Sequence, residues 1–145
     1  MHGLMMDNPL LISSIVEHAD INFPDREIVS VTNDGSLHRY TYKDCFIRVR
    51  KLANALEKLG LKEGDRIATM AWNDNRHLEA YYAIGGAGYV CHTINPRLFP
   101  EQIIYMINHA EDRWLMIDPL FVPLIEKISP EIPNEQSIKR LFIIY

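Results

Sequence analysis

The sequence predicts an α/β fold: a mostly parallel sheet with flanking helices, plus an antiparallel hairpin. Three observations carry that expectation. From Arg66 onward, short apolar runs alternate with helical stretches, the order in which crossover helices cover both faces of a parallel sheet. Ahead of them, two runs rich in β-branched and aromatic residues flank Asn33-Asp34-Gly35-Ser36, whose Asp-Gly pair suits a tight hairpin turn. Between the hairpin and the first later strand, Phe46, Val49, Leu52, Ala53, Leu56 and Leu59 recur at helical spacing.

Each element has a local cause. In LLISSIVEHA the apolar positions Ile12, Ile15, Val16 and Ala19 lie on one helical stripe, and Asn8-Pro9 marks the stop before it. The runs EIVSVT and LHRYTY form the two arms of the hairpin. Thr41 precedes Asp44 by three, the spacing of a capping box with Asp in place of the usual Glu, and Gly60 ends the long helix. RIATMAW reads as a strand with a helix after Asn75. YVCHTI is followed by a helix opening at Pro100, and WLMI by one opening at Asp118-Pro119. LFIIY is a last apolar run, and SPEIPNEQS, residues 129–137, reads as the linker before it.

Of the 145 residues 48% are hydrophobic and 23% charged, the balance of one globular unit with a core. Lys plus Arg number 15 against 19 Asp plus Glu, so no basic field exists to attract nucleic acid, and that class of partner is excluded. Cys45 and Cys91 stand far apart in no CxxC pattern and read as reduced core thiols. The first 20 residues lack a basic n-region, and Ser13, Ser14, Glu17 and His18 interrupt their apolar positions. That is neither a signal peptide nor a transmembrane segment, and a cytoplasmic protein is expected.

The stretch AIGGAGYVCHTINPRL poses the sharpest chemical question, because Gly85, Gly86 and Gly88 resemble a phosphate loop. A nucleotide-binding glycine loop follows a strand and opens a helix, whereas HLEAYYAIGGAG is helical in period and feeds a strand. The glycines therefore read as a helix end. In open α/β sheets ligands bind beyond the carboxyl ends of strands, which selects Trp72, Asn73, Asp74 and Asn75 after one strand and Asn95, Pro96 and Arg97 after the next. Within that set Trp72, Asn73, Asn95 and Arg97 are the cofactor-binding candidates. The plainer roles are Asn73 or Asn75 as a helix N-cap, Asn95-Pro96 as a turn and Arg97 as a solvated or salt-bridged cation. The six histidines offer no local metal-binding spacing, and the corner Glu111-Asp112-Arg113 is expected to be solvated.

Three longer stretches carry a resemblance. FPDREIVS, YTYKDCFIRVRKLANALEKLGLKEGDRIATM and AIGGAGYVCHTINPRLFPEQIIYMINHAEDRWLMID are similar in order and content to the start of the acyl- and aryl-CoA synthetases of the adenylate-forming, AMP-binding superfamily. Within it they most resemble the medium- and long-chain fatty acyl-CoA ligases. The resemblance implies that residues 1–145 form the N-terminal portion of the large domain, with the catalytic remainder and the C-terminal domain absent. It implies a fatty acid substrate, with ATP, Mg²⁺ and coenzyme A as cofactors of the full-length enzyme, and none expected for this chain. No catalytic residue of the family is carried onto these positions, and the isolated chain is expected to be inactive. The partners it implies are the remainder of the same enzyme and a second copy, paired through the helix within residues 1–22; the alternative for that helix is to cover the local sheet. The competing expectation from composition alone is a non-catalytic α/β binding or regulatory module.

Overall fold

The computed structural model describes residues 3, 6–132 and 140–143; residues 133–137 of the linker-like stretch and the last two residues of LFIIY lie outside them. The chain forms helix α1 (Ile12–Asn22), hairpin strands β1 (Glu27–Val31) and β2 (Leu37–Thr41), and the long helix α2 (Tyr42–Lys58). It continues as β3 (Arg66–Met70), α3 (Asn75–Gly86), β4 (Val90–Thr93), α4 (Pro100–Ala110), β5 (Trp114–Ile117), α5 (Val122–Ile128) and β6 (Arg140–Ile143). The α/β expectation holds.

The main sheet has the order β4-β3-β5-β6 with every pair parallel. Side-chain alternation divides its core in two. Ala68, Met70, Leu115 and Ile117 pack against Ile103 and Ile107 of α4 and Ile125 and Ile128 of α5. Ile67, Trp114 and Met116 pack on the other face against Leu56 of α2 and Ala80 and Ile84 of α3. Burial on both faces is why RIATMAW and WLMI are continuous apolar runs rather than alternating ones. Each fully buried Ile or Leu contributes about 1.5–3 kcal/mol.

The hairpin pairs Glu27 with Thr41 and Val31 with Leu37. Its turn holds Gly35 at φ +82°, and the Asp34 carboxylate accepts from the Thr32 hydroxyl at 2.5 Å and the Ser36 N–H at 2.9 Å. Those bonds hold the exposed Asp34 carboxyl down at about 2. Ile28 and Tyr40 turn inward onto Cys45 and Val49 of α2 and Ala83 of α3. The capping box is complete despite the short acid: Thr41 Oγ1 accepts from Asp44 N–H, and Asp44 Oδ2 accepts from Thr41 N–H, both at 3.1 Å.

Helix α1 lies on α2 and α3 rather than on the sheet. Of its predicted stripe only Val16 is buried, while Ile15 is 59% exposed and Leu10, just before the helix, 95%.

The glycine-rich stretch closes α3 ahead of β4, as the period of the sequence requires. A Cβ built on Gly85 would stand 3.7 Å from Ile12 Cδ1, an ordinary contact, whereas Gly88 has φ +82° and its Cβ would meet Glu63 Cγ at 3.4 Å. Gly85→Ala is therefore expected to be neutral or to stabilise by up to about 1 kcal/mol through helix propensity. Gly88→Ala is expected to cost about 1–2 kcal/mol, because an L side chain is strained in the left-handed region. Urea denaturation of the two variants checks the order, and a costlier Gly85→Ala would disprove it.

Candidate functional site

The carboxyl ends of β3 and β4 are the open end of the sheet. Past β3 the chain runs through Ala71, Trp72 and Asn73 to Asp74, whose Oδ1 accepts from the N–H groups of Arg76 at 2.9 Å and His77 at 3.1 Å. Asp74 is thus the N-cap of α3, correcting the expectation of Asn73 or Asn75. A carboxylate brings full charge to the positive end of the helix, and Asn75 is already inside its first turn. Past β4, Asn95 Oδ1 accepts from Arg97 N–H at 3.0 Å, which makes the expected turn.

That turn carries Arg97 back over β3. Its guanidinium carbon lies 5.3 Å from the centre of the Trp72 ring, whose other neighbour is Phe121 at 5.4 Å between centroids. Trp72, Asn73, Asn95 and Arg97 therefore line one cleft of about 460 Å³, together with His77 and Thr93. Among the described residues no carboxylate lies within ion-pair distance of Arg97. A second cleft of about 520 Å³ adjoins it, sharing Asn73, His77 and Thr93 and walled by Val29 and Val31 of the hairpin and Leu78 and Tyr81 of α3.

The crevice on the other side of β3 is closed. The chain leaves β3 for β4 and returns across it to β5, so the topological switch point lies between β3 and β5. There Asp118, buried at the end of β5, accepts from Asn33 Nδ2 at 2.5 Å and from Arg76 Nη2 at 3.3 Å. Arg76 also pairs with Asp74. The hairpin turn is thereby tied to the end of the sheet by groups 85 residues apart.

The Glu111-Asp112-Arg113 corner is a second correction. Glu111 and Arg113 are exposed and pair with Arg66 at 2.7 Å and Asp65 at 3.2 Å, but Asp112 is fully buried. Left-handed Glu111, at φ +50°, turns the following residue inward, where Asp112 Oδ2 meets His92 Nδ1 at 2.7 Å. Burial pushes the Asp112 carboxyl up, against the pull of His92. Both cysteines are reduced, Cys45 buried and Cys91 half-buried, and burial pushes both thiols up, away from nucleophilic character. Among the described residues no group of three or more His, Cys, Asp or Glu is placed to hold a metal ion. Nor is any helix of the described residues long and apolar enough to cross a membrane.

The cleft offers a cation on an aromatic face, two carboxamides and a hydroxyl, which is equipment for holding an anion. Sequence reasoning missed Thr93 and His77. The spacing of His77 to the other histidines carries no signal, and its i+3 position after the Asp74 cap sets its ring 3.0 Å from the Thr69 hydroxyl on β3.

The family model described as AMP-binding enzyme matches residues 16–145. The chain is 55% identical over 137 residues to a medium-chain-fatty-acid–CoA ligase of Ectopseudomonas oleovorans, covering 94% of this chain and 25% of that protein. It is 53% identical over 132 residues to a 3-methylmercaptopropionyl-CoA ligase of Ruegeria lacuscaerulensis, covering 91% and 24%. A long-chain-fatty-acid–CoA ligase of Thermus thermophilus is 46% identical over 132 residues, again 91% and 24%. The chain thus spans about a quarter of the length of the curated relatives it matches. Among solved structures, a Mycobacterium tuberculosis fatty acyl CoA synthetase aligns with TM-score 0.80 at 19% identity, over 92% of this chain and 26% of that one. An anthranilate CoA ligase in complex with anthranoyl-AMP aligns with TM-score 0.78 at 21% identity, over 95% and 26%. At these identities the structures establish a shared fold.

Proposed function

The chain belongs to the AMP-binding enzyme family, and from that premise we propose that it is the N-terminal portion of the large domain of an ATP-dependent fatty acid:CoA ligase. The observation that carries this reading is the 46–55% identity to acyl-CoA ligases across more than nine-tenths of the chain. In the full-length reaction a carboxylate oxygen attacks the α-phosphorus of ATP and pyrophosphate leaves. The coenzyme A thiol sulfur then attacks the acyl carbon and AMP leaves. Carboxylate and triphosphate repel one another, so the reaction needs Mg²⁺ and cationic groups to neutralise charge.

Within that enzyme we propose that Trp72, Asn73, Asn95 and Arg97 hold a phosphate-bearing part of a substrate. Support comes from the lone cation stacked on an indole at the strand ends, with carboxamides beside it. ATP and coenzyme A both carry phosphates, and kinetics separate them. No catalytic residue of the family is carried onto these positions, so residues 1–145 alone are expected to be inactive.

Pyrophosphate release and acyl-CoA formation, measured for the full polypeptide with acids from butyrate to palmitate, test the reading. Turnover of one or more fatty acids by the full polypeptide, with none by residues 1–145 alone, is the expected result. Failure to release pyrophosphate with any fatty acid would refute the ligase assignment. We also propose that the exposed apolar residues around α1 pair with a second copy, supported by the exposure of Leu10, Leu11 and Ile15. Light scattering is expected to show a dimer that becomes a monomer when residues 1–22 are deleted; an unchanged mass would exclude it.

A further inference from the structure

Strand β4 is four residues long and forms an edge of the main sheet, paired to β3 on one side only. Val90, His92 and Ile94 recur at strand spacing and so share one face. His92 lies opposite Ala68, whose side chain packs in the same core as Ile94. Val90 is exposed and Ile94 buried, and between them His92 Nδ1 stands 2.7 Å from Oδ2 of the fully buried Asp112. Among the described residues Asp112 Oδ1 meets no hydrogen-bond partner, so His92 is the side chain that ties this carboxylate. The turn that presents Asp112 is itself fixed to the sheet. Its left-handed residue, Glu111, is gripped through its carboxylate by Arg66 of β3 at 2.7 Å.

A short edge strand does not fix its own register through apolar contacts, because a slip of two residues returns every side chain to its own face. Advanced by two, β4 would set His92 in the buried place of Ile94 and Val90 opposite Asp112. That leaves a buried carboxylate with no partner, which is strongly unfavourable. We propose that His92 is a positioning residue: its bond to Asp112 pins β4 in register on β3 and so sets Arg97 over Trp72. The turn that carries Arg97 begins at Asn95, three residues after His92. A two-residue advance would carry that turn roughly 6–7 Å beyond its place at the end of β3. Slack for the advance exists at the other end of β4, where Gly85 and Gly86 close α3, since glycine holds a helix weakly. Apolar packing at the two positions would stabilise as well as the polar pair does, but it would accept either register. The pinning stands on geometry alone, and only its effect on substrate affinity rests on the phosphate reading of the cleft.

Fluorine NMR of the full polypeptide labelled with fluorotryptophan reads the register. Trp72→Phe assigns the Trp72 resonance, and Arg97→Ala gives its position without the stacked guanidinium. His92→Asn offers an amide donor or acceptor where Nδ1 stands, and is expected to keep a single Trp72 resonance at the wild-type position. His92→Leu combined with Asp112→Val replaces the pair by apolar groups. The urea midpoint of that double variant is expected at or above the wild-type value. Its Trp72 resonance is nevertheless expected to split, with a second line at the Arg97→Ala position. KM for the phosphate-bearing substrate is expected to rise about tenfold at a slipped fraction of about nine-tenths, with kcat unchanged, because only pinned molecules bind. A single wild-type line in the double variant, or a urea midpoint well below the wild-type value, would overturn the proposal. A split line with no change in any KM, there or in Arg97→Ala, would uphold the pinning and refute the phosphate reading instead.

Discussion

Asp118→Ala is expected to destabilise the protein by about 3 kcal/mol, the cost of breaking a buried ion pair by removing one partner. The Asp118 carboxylate is nearly inaccessible and serves three groups at once. Oδ1 accepts from Leu120 N–H at 3.0 Å, while Oδ2 accepts from Asn33 and Arg76. Removing it uncaps the turn after β5, leaves the Asn33 amide without its partner and withdraws one of the two carboxylates that Arg76 bridges. The hairpin has only two strands, too few for independent stability, so the loss of this tie also loosens it from the end of the sheet. Thermal denaturation of Asp118→Ala is expected to show a midpoint lowered by roughly 10 °C. A double-mutant cycle with Asn33→Ala is expected to give a coupling of about 1 kcal/mol or more. Additive effects would show that the hairpin is held elsewhere.

Arg97→Ala is expected to raise KM for either ATP or coenzyme A about 10- to 100-fold, the worth of one or two hydrogen bonds to a charged group. The expectation follows from the phosphate reading of the cleft. Because the guanidinium is exposed, its attraction is screened, and the dependence of that KM on ionic strength should weaken in the variant. Arg97→Lys keeps the charge and loses the planar fork that stacks on Trp72, so it should recover only part of the affinity. Steady-state kinetics with each substrate varied in turn identify which phosphate is held. No change in KM for either would remove Arg97 from the binding machinery.

Much of the fold was legible because its causes are local. The Thr41–Asp44 box, the Asp-Gly turn, Pro100 opening α4 and the apolar periods of α2, β3 and β5 are each written within a few residues. The candidate cleft was legible in outline, since strand ends can be located once strands are, and Trp72, Asn73, Asn95 and Arg97 do converge. Where the sequence misled, a polar residue was judged by its neighbours in the chain. Asp112 sits between two charged residues that are indeed exposed, yet its side chain is turned under to His92, 20 residues earlier. The α1 stripe looked like a core-facing surface, but most of it faces outward because α2 and α3 already cover that face of the sheet. Asp74, rather than either neighbouring asparagine, is the cap because α3 begins at Asn75 and position 74 therefore stands at its boundary.

The sequence by itself determined the elements, their order, the helix-ending role of Gly85 to Gly88 and the resemblance to acyl-CoA ligases. Those follow from backbone preferences and hydrophobic periods, which act over a few residues. Only the tertiary structure decided which side of β3 stays open. That choice depends on the strand order β4-β3-β5-β6, which lays Arg97 on Trp72 along one side and closes the other with Asp118, Arg76 and Asn33. Charged and polar side chains find such partners only after the chain has folded back, because their bonds need atoms brought within about 3 Å from distant positions.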